Sequence, residues 1–290
     1  MKIAIFYENR LGRNDGAPLY YWNCLKKLGH EVTHFCSIAE PDKEWGEFDL
    51  FCWIDWGEDA LTSLLPYNPI SMKNLHPSMY VSSDTHLGYD YRVNKAKEFD
   101  HVFVNQLDAV EMFKKDGVDA TWLPHAVEPQ AYPNSPTCMK KYDIGFVGYV
   151  SFEKRADMLD EFLKEFPNFW FGQALFEDCA EIYRKSRIVF NTAATDDLNM
   201  RVFEATATGS FLLTENIPTI HELYEDGVHL VTYDSIPDAI EKARYYLKHE
   251  DEREAIAKAG MERTLQYHTY KHRIWKALDV IEHKKEMANA

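Results

Sequence analysis

The chain has 290 residues, 46% hydrophobic and 27% charged, enough apolar material for about two domains, which excludes a largely disordered chain. Its net charge of −15 is spread evenly, −8 over residues 1–139 (12 basic, 20 acidic) and −7 over residues 140–290 (20 basic, 27 acidic). No basic domain offers itself to a phosphate backbone, so a nucleic-acid partner is disfavoured. Five cysteines, Cys24, Cys36, Cys52, Cys138 and Cys179, make an odd number without a C-x-x-C pair, which predicts buried reduced thiols and not a disulfide framework or zinc knuckle. The opening MKIAIFYENR is too short in apolar residues for a signal-peptide core. The charge-free run Ala60–Met72 is broken by Pro66 and Pro69, and no stretch approaches the ~20 apolar residues of a membrane span. The expected location is cytoplasmic.

In chain order, Ile3–Tyr7 reads as a buried strand, followed by a polar loop, Glu8–Gly16. Pro18 suits a first helical turn, Leu19, Trp22, Leu25 and Leu28 form an apolar stripe, and Gly29 stops the helix. Strands are expected at Glu31–Cys36, Phe48–Ile54, Met79–Ser83, His101–Asn105 and Ala120–Leu123, with helices at Tyr89–Phe99 and Leu107–Lys115. Four prolines (Pro124, Pro129, Pro133, Pro136) then interrupt the rhythm and mark a linker. It resumes with strands at Tyr142–Val147, Phe169–Phe171, Ile188–Asn191 and Ser210–Thr214, and helices at Arg155–Phe166, Glu177–Lys185 and Met200–Thr208. Three helices close the chain, the first capped by Ser235 with Asp238 in the box position. Strands alternating with helices predict an α/β protein of two Rossmann-like domains with parallel sheets. Residues 1–130 are expected as the first domain, 131–141 as a linker and 142–268 as the second domain. Residues 269–290 are expected as a helix returning to the first domain. Ligands of such sheets bind beyond the carboxyl ends of the strands, and a cleft between two such domains is the expected place for chemistry.

The most informative stretch runs from Asp196 to Gly209, between a strand and a helix. A carboxylate at the loop start, Asp196, and one on the helix, Glu204, can both face a ligand lying on the helix N-terminus, where amide N–H groups and partial positive charge suit phosphate. The second carboxylate suits ribose hydroxyls. A surface acid and a helix-capping acid would account equally well for the pair on physical grounds alone.

Asn199-Met200-Arg201-Val202-Phe203-Glu204-Ala205-Thr206-Ala207-Thr208-Gly209 resembles the N-x-R-x-F-E-x-x-A-x-G pattern of the CgeB-like branch of the group 1 glycosyltransferase superfamily, whose fold is GT-B. In the wider superfamily two glutamates stand in this relation; Glu204 matches the ribose-binding one, and Asp196, a methylene shorter, falls on the one near the donor sugar. Gly145-Phe146-Val147-Gly148 running into Lys154-Arg155 resembles the strand and cations that hold the donor diphosphate, with Tyr149 where the superfamily has Arg. Cations at a helix start oppose its dipole, so Lys154 and Arg155 need a reason to be there. Weaker echoes lie at Leu123–Pro129, Leu25–Val32 and His268–Arg273. The resemblance implies donor-nucleotide contacts from Asn199, Arg201, Glu204, Lys154, Arg155, Tyr149 and Gly148, and catalytic roles for His86, Asp84 and Asp196. It further implies an acceptor or phosphate loop through Gly12, Asn14 and Asp15. An ordinary flexible loop is nearly as good a reading of residues 12–16, and core packing is the commoner use of Trp53 and Trp56 near Asp55.

The sequence has no G-x-x-x-x-G-K-[ST], no G-x-S-x-G, no G-x-G-x-x-G after the first strand and no D-x-D. The expected function is a metal-independent, retaining transfer from a nucleotide-diphosphate sugar, acting as co-substrate and without a cofactor, to a carbohydrate or other hydroxyl acceptor. The alternatives are a non-catalytic nucleotide- or sugar-binding module on a degenerate GT-B scaffold, and a phage-type transferase acting on modified DNA bases.

Overall fold

The computed structural model describes residues 1–7, 16–35, 48–55, 71–135, 139–149, 153–193 and 197–288, the side chains of 153, 154, 285, 287 and 288 excepted. The chain divides into two compact units, Met1–Pro124 with Tyr270–Ala290, and His125–Thr269. The segment 131–141 belongs to the second of these.

In the first unit the strands are β1 (Lys2–Phe6), β2 (Glu31–Phe35), β3 (Leu50–Asp55), β4 (Ser78–Ser82), β5 (His101–Val104) and β6 (Ala120–Trp122). The helices are α1 (Ala17–Lys27), α2 (Tyr89–Ala96) and α3 (Leu107–Lys115). The strands form one sheet in the order β2-β1-β3-β4-β5-β6, every pairing parallel. Every residue of β3, β4 and β5 is buried, as expected for strands covered on both faces. Phe6, Trp53, Tyr80 and Phe113 are central to the core. Trp53 is a core residue, stacked on Phe6 with ring centroids 6.0 Å apart. The final helix, α9 (Tyr270–Ala288), returns to this unit, where Tyr270 packs against Tyr20 and Tyr21 of α1 at 5.1 and 5.4 Å.

The second unit has strands β7 (Tyr142–Val147), β8 (Phe169–Gly172), β9 (Ser186–Asn191), β10 (Leu212–Glu215) and β11 (Val231–Tyr233). They form a parallel sheet in the order β11-β10-β9-β7-β8. Its helices are α4 (Glu153–Glu165), α5 (Phe176–Lys185), α6 (Met200–Ala207), a 3₁₀ turn (Pro218–Glu222), α7 (Ile236–Lys248) and α8 (Glu250–Tyr267). Phe162 stacks on Phe190 at 4.0 Å in the centre of its core. Ser235 caps α7 as expected, its hydroxyl accepting from the Asp238 amide, while the Asp238 carboxylate accepts from the Asp234 amide.

The sequence reading differs from the structure at short edges. β11 has three residues and no periodicity long enough to register. The helix expected to reach Phe99 ends at Ala96, and Phe99 instead stacks on Tyr80 at 5.1 Å from the turn into β5. Cys24, Cys52 and Cys179 are buried thiols, while Cys36 and Cys138 lie outside the described residues. No helix among the described residues is long and apolar enough to cross a membrane.

Helix α8 is what holds α6 in place. Thr264 of α8 shares hydrogen bonds with Thr206 of α6 (2.7 Å) and Tyr224 (2.9 Å), and the helix passes so close to His229 that a Cβ on Gly260 would run into the His229 carbonyl oxygen. Gly260→Ala is therefore expected to lower the stability of the protein by about 1–3 kcal/mol, as overpacking against unyielding backbone does. Urea denaturation measures it, and an unchanged midpoint would mean that the two segments part at no cost.

Candidate functional site: the carboxyl edge of each sheet

In the second unit the chain runs from β7 to one edge, β8, then returns to the other side of β7 to form β9. The switch point thus lies between β7 and β9, where parallel sheets open a crevice for ligands at the carboxyl ends of their strands. Two guanidinium groups occupy it.

Arg201, in the first turn of α6, donates from Nε to the Val147 carbonyl at the end of β7 (2.7 Å) and from Nη1 to Asn191 Oδ1 at the end of β9 (2.5 Å). Its guanidinium lies 4.5 Å from the centre of the Phe146 ring. Gly148 makes room for it: a Cβ there would overlap Arg201 Nη2. Among the described residues Arg201 has no ion-pair partner.

Arg155, on α4, is buried. Its two terminal nitrogens donate to the carbonyls of Tyr149 (2.7 Å) and Thr192 (3.1 Å), and its guanidinium lies 5.8 Å from the same Phe146 ring. Burial first, then the like charge of Arg201, hold it down to about 10, so it remains a cation at neutral pH. Lys154 stands beside it in the first turn of α4, with its side chain outside the described residues.

Asn191 is the hub of this edge. Its Oδ1 accepts from Arg201 and from Asn199 Nδ2 (3.2 Å), its Nδ2 donates to Thr214 (2.9 Å), and its carbonyl accepts from the Tyr233 hydroxyl (2.8 Å). Glu215, at the end of β10, accepts from the Ala193 amide (2.7 Å) and the Thr192 hydroxyl (3.1 Å). Asn199 is the N-cap residue of α6, yet its side chain makes no capping hydrogen bond; Asn199 Oδ1 is buried and, among the described residues, has no hydrogen-bond partner. An Asn at this position ordinarily satisfies an amide of the first turn, so the amide end of α6 keeps its affinity for an anion.

Glu204, one turn into α6, is half-buried and close enough to α5 to act on two of its side chains. Burial, then the Glu204 carboxylate, push the Cys179 thiol up to about 12; burial, Cys179 and Glu204 raise the Tyr183 phenol. Tyr149 is exposed. Asp196 lies outside the described residues.

In the first unit the switch point lies between β1 and β3. Asp55, at the end of β3, is fully buried and accepts from Arg92 Nη1 and from the Tyr80 hydroxyl. Burial raises its carboxyl above the usual range, and Arg92 and Tyr80 pull it partly back. Asp84, in the loop after β4, has a left-handed backbone (φ 50°), which Asp tolerates better than most residues, and its carbonyl accepts from the Leu87 amide at 2.8 Å. His86, in the same turn, is exposed, with Nδ1 3.2 Å from Gln106 Nε2. Gly12, Asn14, Asp15 and Trp56 lie outside the described residues.

His30-Glu31-Val32-Thr33-His34 has the H-E-x-x-H spacing that binds zinc from a helix, but here it forms the entry and body of strand β2. His30 instead meets the amino-terminal nitrogen (3.4 Å) and His34 the Tyr7 carbonyl (3.2 Å).

Residues 156–279 match the family model described as glycosyl transferase-like. A comparison with curated protein sequences finds no match. Among solved structures, HepE (Alr3699) of Anabaena, in complex with UDP and glucose, is similar over 97% of this chain and 99% of its own, with a TM-score of 0.68 at 13% identity. An α-glucosyltransferase in complex with UDP and a 13-mer DNA containing an HMU base has a TM-score of 0.67 at 13% identity, over 97% and 99%. Sucrose-phosphate synthase of Thermosynechococcus elongatus has 0.62 at 11%, over the whole of both chains. The fold is GT-B. The glycosyl transferase-like segment contains Arg201, Asn199, Asn191 and Glu204, and Arg155 immediately precedes it.

Asn191, Glu215 and Gln106 were missed from the sequence. Each sits at or just past the carboxyl end of a strand, and that position is the signal that could have found them.

Gly148 and Arg201 are coupled by shape. Gly148→Ala is expected to cost about 1–3 kcal/mol in the native background, by driving a methyl group into a guanidinium held by hydrogen bonds to Val147, Asn191 and Thr192. In an Arg201→Ala background the same change should cost less, with a coupling of about 0.5–3 kcal/mol in a double-mutant denaturation cycle. Additive costs would show that the glycine serves some other need.

Proposed function

We propose that this chain is a glycosyltransferase that takes a sugar from a UDP-sugar without a metal ion and retains its anomeric configuration. The observation that carries the reading is the pair of guanidinium groups over Phe146 at the β7/β9 switch point, beside a helix N-terminus whose N-cap side chain makes no capping hydrogen bond. The departing nucleoside diphosphate gains negative charge as the glycosidic bond breaks. Cations and amides already fixed in place stabilise it with no reorganisation. In this reading Arg201, Arg155, Lys154 and the amide end of α6 hold the diphosphate. Gly148 lets Arg201 approach, Asn199 sets the helix entry, and Glu204 takes the ribose hydroxyls. Tyr149 offers an exposed ring beside the nucleotide. Asp196 lies near the donor sugar. Asp84 and His86 act on the reacting groups, and the Gly12, Asn14 and Asp15 loop serves the acceptor. The guanidinium charge takes the part a metal plays in other transferases. The resemblance of Asn199–Gly209 to the CgeB-like pattern supports membership of that branch, and a cytoplasmic enzyme with a carbohydrate or other hydroxyl acceptor fits its composition.

The first test is a thermal-shift panel of nucleoside diphosphates and nucleotide-sugars, followed by UDP release with and without added acceptors. A ligand at a hundredfold excess over its Kd should stabilise the protein by about 2.7 kcal/mol. UDP release that survives a chelator supports the metal-free reading, and its loss overturns it. Tight UDP binding with no donor turned over would make the chain a binding module. No response to any nucleotide would overturn the proposal. A second reading, transfer to a modified DNA base, has one specific support, the similar α-glucosyltransferase structure that holds DNA. The net charge of −15 opposes it, and an HMU-containing oligonucleotide in the acceptor panel decides it.

Two substitutions separate the parts of the donor site. Glu204→Gln should weaken UDP binding by about 1–3 kcal/mol in titration calorimetry, the range for a hydrogen bond to a charged group, with little change in stability. An unchanged Kd would remove Glu204 from the ribose. Arg155→Gln should weaken UDP far more than uridine; equal losses would mean that Arg155 serves only to tie the Tyr149 and Thr192 loops.

A further inference from the structure

The end of β5 is an anchored point of the first unit. The Asn105 amide donates to the Ser82 carbonyl (3.1 Å), its Nδ2 to the Leu123 carbonyl (2.6 Å), and its own carbonyl accepts from Trp122 Nε1 (3.0 Å). Gln106, the next residue, is buried and is the N-cap of α3, but its side chain does not cap the helix. It reaches across to the loop after β4, where the Thr85 backbone amide donates to Gln106 Oε1 (2.7 Å) and His86 Nδ1 lies 3.2 Å from Gln106 Nε2.

These two contacts determine a proton position. A backbone N–H can only donate, so the Gln106 atom facing Thr85 is the oxygen, and the orientation of the amide follows. The other end is then the NH₂ group, which also can only donate. His86 Nδ1 must therefore offer its lone pair, and the single ring proton of the neutral imidazole sits on Nε2. We propose that Gln106 is a positioning residue that locks neutral His86 as the Nε2–H tautomer, so that His86 meets the substrate as a hydrogen-bond donor to an oxygen atom and not as a general base. The Nδ1 lone pair is occupied by Gln106, and Nε2 carries a proton, so the neutral ring has no site from which to abstract one. The donor role rests on the glycosyltransferase reading above; the tautomer does not.

The test is two-bond ¹H–¹⁵N correlation of the histidine rings in the full-length protein, at a pH where His86 is neutral. The chain has 12 histidines, and the His86 signals are those missing from His86→Gln. The expected pattern is a pyrrole-type Nε2 and a pyridine-type Nδ1. Gln106→Glu should reverse it: one carboxylate oxygen still accepts from Thr85, the other can only accept, and the ring proton is drawn to Nδ1. A pyridine-type Nε2 in the native protein overturns the inference without recourse to any variant, and so does a pattern that Gln106→Glu leaves unreversed. With a UDP-sugar the same substitution should lower kcat by about tenfold or more while KM for the donor stays within about twofold. A reversed tautomer with an unchanged kcat overturns the donor role of His86. If the native protein turns over no UDP-sugar, the glycosyltransferase reading fails, and the ring-nitrogen pattern still decides the tautomer.

Discussion

The architecture of the second unit turns on holding the half-buried Arg201 guanidinium at the end of β7. A guanidinium in that position needs its donors occupied and its charge balanced. The protein answers the first need with a strand-end carbonyl, the Asn191 amide oxygen and the face of Phe146, and leaves a glycine where any side chain would intrude. For the second need, no carboxylate among the described residues is bonded to Arg201. A second guanidinium, Arg155, is brought to the same ring, where its own charge is disfavoured by burial and by Arg201. Two like charges held together at a strand crossover amount to a standing preference for an anion.

The same bonds that hold these cations also tie the edge together. Arg201 links β7 to β9, Asn191 links β9 to β10 through Thr214, Tyr233 links β11 back to β9, and Glu215 links β10 to the backbone just past β9. Arg155 joins the loop after β7 to the loop after β9. The charge of the site and the rigidity of its frame therefore come from the same side chains. An anion arriving there meets groups whose ordering has already been met in folding, which is the condition for electrostatic stabilisation of a leaving group.

The first unit solves a different problem at the matching edge. Asp55 is fully buried, and Arg92 and Tyr80 are aimed at it so that a carboxyl at the switch point can stay in place despite the cost of burial. Breaking such a pair by removing one partner leaves an uncompensated buried charge. Asp84 and His86 lie one loop further out. There the backbone turns through a left-handed residue, and the buried Gln106 side chain holds the turn by two hydrogen bonds.

Much of this was legible in the sequence, because it depends on local chemistry. Alternating apolar runs and amphipathic stripes determine two parallel α/β units, since a strand covered on both faces must be continuously apolar and its crossover helix must hide one face. Ser235 and Asp238 announce a cap by their own spacing. The order of Asn199, Arg201 and Glu204 at the start of a helix determines that an amide terminus, a cation and a carboxylate share one region. Tertiary structure alone decided what those groups do there. Whether Arg155 is solvated or buried depends on two carbonyls, Tyr149 and Thr192, from separate loops. Asn191 looks like any strand-end amide until β7, β9 and β10 are laid side by side. His30 and His34 have the spacing of a zinc pair, yet β2 is extended and each finds another partner. The proton of His86 is set by a glutamine twenty residues away and by a backbone amide, and only the pairing of β4 with β5 brings those three together.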